Sequence, residues 1–100
     1  MAFSEEEIQK VWNDGKAVAG YDPDVWRKDQ CGAWIHRMQY GNRKSDYGWE
    51  IDHISPGGPD TKDNLRPLQW QNNLSKSDSR LGCKVTSSGK KNVEIKESED

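Results

Sequence analysis

Apolar residues enter this chain in short, separate bursts, and the spacing within each burst selects the element. Ile8, Val11 and Trp12 fall on one face of a 3.6-residue turn. Ser4 followed by Glu5, Glu6 and Glu7 is a capping-box start with acids in the first turn. Asn13-Asp14-Gly15 is a stop, so a helix is expected over about 4–13. "AVAGYDPDVWRKDQCG" carries Gly20, Pro23 and Gly32 and reads as loop with short extended pieces. "AWIHRMQYG" has strand-like aromatic and branched density, which places a strand near Ala33 to Tyr40. "GNRKSDYG" is a turn-rich connector suited to closing a hairpin, and "WEIDHI" is the next strand. "SPGGPDTKDN" is a loop; "LRPLQ" is extended, with Pro67 confining it to an edge or a strand end. "WQNNLSKSD" reads as helix, with Trp70, Asn73, Leu74 and Ser77 along one side. Beyond Asp78 the chain turns polar; Val93 and Ile95 alternate as in a late strand, and "ESED" is a solvated tail. Helix, two strands, loop, strand and helix make a small α+β domain.

Composition narrows this picture. One hundred residues suit a single domain spanning 1–100. Only 31% are apolar, so the core must be thin, and the five tryptophans are its natural filling. No apolar run is long enough to span a membrane, and the N-terminus does not read as a signal peptide. The expectation is a protein of the cytoplasm, intracellular and not secreted. Two cysteines, Cys31 and Cys83, allow at most one disulfide, which a cytosolic setting disfavours. A mixed site of Cys31, His36 and Cys83 matches no zinc spacing, so two inert thiols are expected.

Net charge is −2, which argues against a strongly basic nucleic-acid binder. The acids concentrate at the ends, in Glu5 to Glu7 and in Glu94, Glu97, Glu99 and Asp100. Between Val25 and Lys84 ten Lys or Arg face seven Asp or Glu, a balance of 10 − 7 = +3. The middle of the chain therefore suits a polyanion better than the sum suggests.

Four polar residues in that middle keep telling distances. Asp52 and His53 end the "WEIDHI" strand just before Pro-Gly-Gly. Burying a carboxylate and an imidazole at a strand end is costly unless something pairs with them. Asn64 follows His53 by eleven residues, Asn73 follows Asn64 by nine, and Lys76 follows one helical turn later. Adjacent strand residues point to opposite faces, so Asp52 and His53 share a cleft only if the backbone twists at the strand end. A helix packed across the hairpin brings Asn73 beside Asp52. A carboxylate and an amide oxygen are hard ligands that suit Mg²⁺ or Mn²⁺. His53 is a candidate proton acceptor near neutral pH, and Asn64 a candidate for fixing the loop by backbone hydrogen bonds.

The segment "EIDHI … GG … DNLRPLQWQNN..K" resembles the signature of HNH endonucleases, the ββα-metal or His-Me finger nucleases. The likeness covers Trp49 to Lys76, about a quarter of the chain, and keeps order, spacing and the Gly-Gly loop. It implies a ββα-metal domain with a motif core over 49–78, an extra N-terminal helix, additional strands and a polar, partly flexible tail over about 84–100. It implies a divalent-metal-dependent DNA endonuclease, nicking one strand per active site and leaving 5′-phosphate and 3′-hydroxyl ends. By the same resemblance His53 is the general base, Asp52 and Asn73 hold one catalytic Mg²⁺ or Mn²⁺, and Asn64 supports the loop and the base. This is an H-N-N variant, in which Asn72 ranks below Asn73. Lys76 and Arg66 are tentative phosphate contacts. The two CxxC pairs that bind structural zinc in many such proteins are absent, so no structural zinc is expected. DNA is the implied partner, with no membrane and a monomer or weak dimer.

Plainer readings compete. An isolated Asp-His pair is usually a local hydrogen bond, and a helical Asn is usually at the surface. The alternatives are a catalytically inactive DNA-binding module on the same fold, or a small interaction domain with a chance motif. Arg37, Arg43 and Lys44 suit phosphate contact and ordinary solvation equally.

Overall fold

The capping box at Ser4 forms as its sequence predicts. In the structure, a computed structural model describing residues 3–76 and 80–96, the Ser4 hydroxyl accepts from the Glu7 amide and the Glu7 carboxylate accepts from the Ser4 amide. The helix that follows, α1 (Glu5–Trp12), buries Ile8, Val11 and Trp12. Among the described residues the chain is a small α+β fold of two α-helices and three two-stranded antiparallel sheets.

β1 (Trp26–Lys28) pairs with β2 (Trp34–His36). The strand expected over Ala33 to Tyr40 thus ends at His36. The His36 Nδ1 accepts from the Met38 amide and starts a 3₁₀ turn over Arg37–Gln39, which leaves Met38 78% exposed. "GNRKSDYG" does not close a hairpin between β2 and the next strand. That strand, β3 (Trp49–His53), pairs instead with β4 (Leu65–Gln69), in a register running from Trp49↔Gln69 to His53↔Leu65. Pro67 sits opposite Ile51, tolerated because each strand of this hairpin has a free edge. Helix α2 (Trp70–Leu74) leaves β4 without a loop, and the Gln69 side chain caps it by accepting from Gln71 and Asn72.

The core lies between α1 and the β3–β4 hairpin. Trp12, Trp49, Ile35 and Leu65 are buried there, with the Trp12 and Trp49 rings 5.2 Å apart. Trp34 is also buried, so three of the five tryptophans fill interior space, as expected. The alternation of β3 sets the rest. Trp49 and Ile51 face this core, while Glu50 and Asp52 face the other way, toward residues of α2 and its C-terminal end. Gly48 is required where the chain enters β3, because a Cβ there would lie 1.8 Å from the Asn42 carbonyl oxygen.

Two expectations are corrected. Cys31 and Cys83 are not free thiols; they form a disulfide across 52 residues of sequence. Sequence alone gave no way to see that β5 (Val85–Ser88) would bring Cys83 back to the β1–β2 turn. The bond sits against the cytoplasmic expectation, since disulfides persist in oxidising compartments. The stretch read as a polar tail over about 84–100 holds the late strand expected near Val93 and, beyond that expectation, a second strand to pair with it. β5 pairs with β6 (Lys91–Glu94), and the Asn92 side chain clamps the Trp34 backbone through both its amide oxygen and its nitrogen. Residues 97–100 lie outside the described residues, as do Ser77 and Asp78 at the end of the motif. Among the described residues no helix is long and apolar enough to cross a membrane.

The crosslink closes a long loop and so restricts the unfolded chain most. Cys31→Ser with Cys83→Ser is expected to lower stability by about 2–4 kcal/mol, read as a lower urea midpoint at unchanged slope. Equal midpoints for variant and parent would show that the bond contributes nothing.

Candidate active site

Asp52 is buried, and both its oxygens are taken. Its Oδ2 accepts from Arg66 Nε at 2.8 Å and its Oδ1 from Lys76 Nζ at 2.8 Å. Arg66 is its cross-strand partner on β4, and Lys76 reaches it from just beyond α2. The Lys76 ammonium also donates to the His53 carbonyl, so two oxygens at the end of β3 hold one cation. Side-chain exposures of 6%, 12% and 9% for Asp52, Arg66 and Lys76 make this a largely dry cluster of two cations on one carboxylate. Arg66 and Lys76, expected as phosphate contacts, both bind Asp52 in this structure.

Two residues earlier on the same face, Glu50 plays a part the sequence reading missed. It accepts from Arg43 through both oxygens, at 2.6 and 3.0 Å, and from Asn73 Nδ2 at 2.8 Å. Burial pushes its carboxyl up, but the hydrogen bonds from Arg43 and Asn73 and the Arg43 charge outweigh this and hold it below the usual carboxylate range. Asn73 therefore meets Glu50 and not Asp52, although the three share one face of the hairpin. The signal for Glu50 was present, since period-2 spacing puts it beside Asp52.

His53 points the other way. Its ring lies 6.3 Å from that of Phe3, and its Nε2 is 2.5 Å from Asp60 Oδ1. With Nε2–H given to Asp60, Nδ1 is left as the acceptor. The ring and the Asp52 carboxylate share no side-chain partner; the Lys76 bridge to the His53 carbonyl links the two positions through the backbone. Asp60 carried no sequence signal, because only the folded loop brings it to His53.

Asn64 holds that loop. Its Oδ1 accepts from the Ser55 amide at 2.8 Å and its Nδ2 donates to the Pro59 carbonyl at 3.0 Å. The two glycines have separate reasons. Gly57 has φ +75°, and a Cβ on Gly58 would come within 2.7 Å of Asn64 Nδ2. Asn72 belongs elsewhere. It is fully buried, accepts from the Lys84 and Val85 amides, and donates to the Val85 carbonyl and to Asp29. Arg37 is spent on Gln9 and Glu5, and His36 on its own turn.

The face that carries Glu50 and Asp52 presents hard oxygens of the kind a divalent ion takes, although Arg66 and Lys76 hold both Asp52 oxygens and Arg43 and Asn73 hold Glu50. Asp52 and Asn73 supply oxygens, Glu50 adds a second carboxylate, and the Lys76 ammonium already marks a cation position lined by oxygen. No family model, no curated protein and no solved structure matches this chain.

Proposed function

We propose that this chain is a divalent-metal-dependent DNA endonuclease of the HNH type, with β3, β4 and α2 as its ββα-metal unit. The observation that carries the reading is the cation position between Asp52 and the His53 carbonyl, at the one strand end where the motif puts a metal-binding carboxylate beside a base. The alternative of an inactive DNA-binding module on the same fold has less support, because the Asp-His-Asn-Asn set is intact.

A Mg²⁺ or Mn²⁺ held by Asp52 and Asn73 would supply charge stabilisation at the scissile phosphate and the leaving 3′ oxygen. His53 accepts the proton of the attacking water at Nδ1, and Asp60 fixes the ring by holding Nε2. Asn64 keeps the Ser55–Pro59 loop in the shape that sets Asp60 against His53. Lys76 gives up its place on Asp52 and turns toward phosphate. One such site cuts one strand and leaves a 5′-phosphate and a 3′-hydroxyl.

Supercoiled plasmid incubated with the protein and Mg²⁺ or Mn²⁺ should relax to the nicked circle, and chelator should stop it. His53→Ala should lower that rate about a hundredfold or more while folding normally, the usual scale for a lost general base. Asp60→Asn should fall between the two. An unnicked plasmid with every divalent ion would remove the nuclease reading, and near-parent turnover in His53→Ala would remove His53 from its role.

A further inference from the structure

A cavity of about 540 Å³ opens beside Arg66, walled by Lys16, Lys28, Gln30 and Thr86. We infer that it is a phosphate site for the DNA strand, seating a backbone phosphate next to the one cleaved. The inference rests on the nuclease reading and extends it to a second contact with substrate.

The charges facing the cavity do not cancel. Lys16 is exposed and has no acid partner among the described residues. The Lys28 ammonium lies 4.6 Å from the Trp34 ring centroid, held by cation–π attraction and again without an acid among the described residues. Arg66 spends Nε on Asp52 and Nη1 on Gln30, while its Nη2 is buried with no acceptor. That Nη2 is closed off from the cavity, so Lys16 and Lys28 carry the anion contact and Arg66 adds charge behind them.

Two acids also reach the wall, and both are accounted for. Asp14 lies 3.8 Å from Lys62. Asp29 gives Oδ1 to the Cys31 and Ala33 amides and Oδ2 to the Gln69 amide and the Asn72 side chain. Those donors stabilise its charge without cancelling it, so it offsets one of the two lysines. The surplus is therefore positive, on a wall shared with Asp52 through one arginine. Arg66 joins the two places, with Nε on Asp52 and its side chain on the cavity wall, so a strand whose scissile phosphate lies at Asp52 passes next to that wall.

The test uses the full chain carrying His53→Ala, a short DNA duplex and Ca²⁺, with affinity measured by anisotropy across a salt series. The parent slope of log affinity against log salt should be shallow, on the order of −2 to −4. Lys16→Glu, and Lys28→Met with its stem still on Trp34, should each weaken binding of every sequence alike. Each should also reduce the slope by about 0.9, the loss of one phosphate contact. Lys96→Ala, an exposed position that does not line the cavity, should do neither. Cavity variants that bind like Lys96→Ala would overturn the inference and leave the nuclease reading standing. A parent that binds no DNA would overturn both. A third arm titrates inorganic phosphate at matched ionic strength. Phosphate binding that Lys16→Glu abolishes, with an unchanged DNA slope, would assign the cavity to the free ion and overturn the strand assignment.

Discussion

Asp52→Ala is expected to abolish cleavage and to cost about 3–5 kcal/mol of stability, because it strands two buried cations. Arg66 Nε and Lys76 Nζ each spend a hydrogen bond on that carboxylate, and neither side chain is more than 12% exposed. The two losses have different causes, and a double variant separates them. Asp52→Ala with Lys76→Met removes one stranded charge and should recover part of the stability. It should recover no cleavage and no Mn²⁺ binding, because the carboxylate proposed to bind the metal is still missing. Measurable cleavage by a folded Asp52→Ala protein would sink the assigned role. An unchanged urea midpoint in the same variant would show that the cluster is not held as described.

The second large effect lies away from the candidate site. Asp29→Ala should prevent stable folding. Asp29 is 2% exposed and accepts from the amides of Cys31, Ala33 and Gln69 and from Asn72. Removing it leaves the buried Ala33 and Gln69 amides and the half-buried Cys31 amide without acceptors, at about 1–3 kcal/mol each, and takes one of two acceptors from Asn72, against a total stability of about 5–15 kcal/mol. Asp29→Asn keeps one acceptor oxygen and should fold with reduced stability. Circular dichroism melts of the two variants decide the matter, and a cooperative melt near the parent temperature for Asp29→Ala would refute it.

That network explains much of what sequence could and could not say. Helix α1 was legible because its cap, charge pattern and apolar face all agree within a dozen residues. β3, its loop and the start of α2 were legible because alternation, a Pro-Gly-Gly turn and fixed Asn spacing are local signals. Asn72 was ranked as a lesser neighbour of Asn73, yet it ties α2 to β5 by hydrogen bonds to Asp29, Lys84 and Val85. A buried polar residue carries no periodic signature, and its partners lie 12 to 43 residues away. β1 was read only as a short extended piece within a loop, and β5 was missed, because it is a short polar "VTSS" that only its pairing makes a strand. In the candidate site the sequence named Asp52, His53, Asn64 and Asn73, but not the neighbours that set their geometry. Asp60 becomes visible only when the loop is folded, whereas Glu50 was legible in the period-2 spacing and was passed over.

The Cys31–Cys83 bond has a further consequence. Residues 31 to 83 form a covalent ring, and the Gly57-Gly58 loop lies inside it. A protease that cuts the backbone once in that loop would give two peptides that still migrate as one molecule until a reductant is added. The cut would separate His53 from Asn64 in sequence without releasing either half. The Asp52–Lys76 ion pair and the β3–β4 ladder would then bridge two chains and not one. The ring makes the domain a natural candidate for complementation by its own fragments, with the two halves of the Ser55–Asn64 loop free to be exchanged or labelled separately.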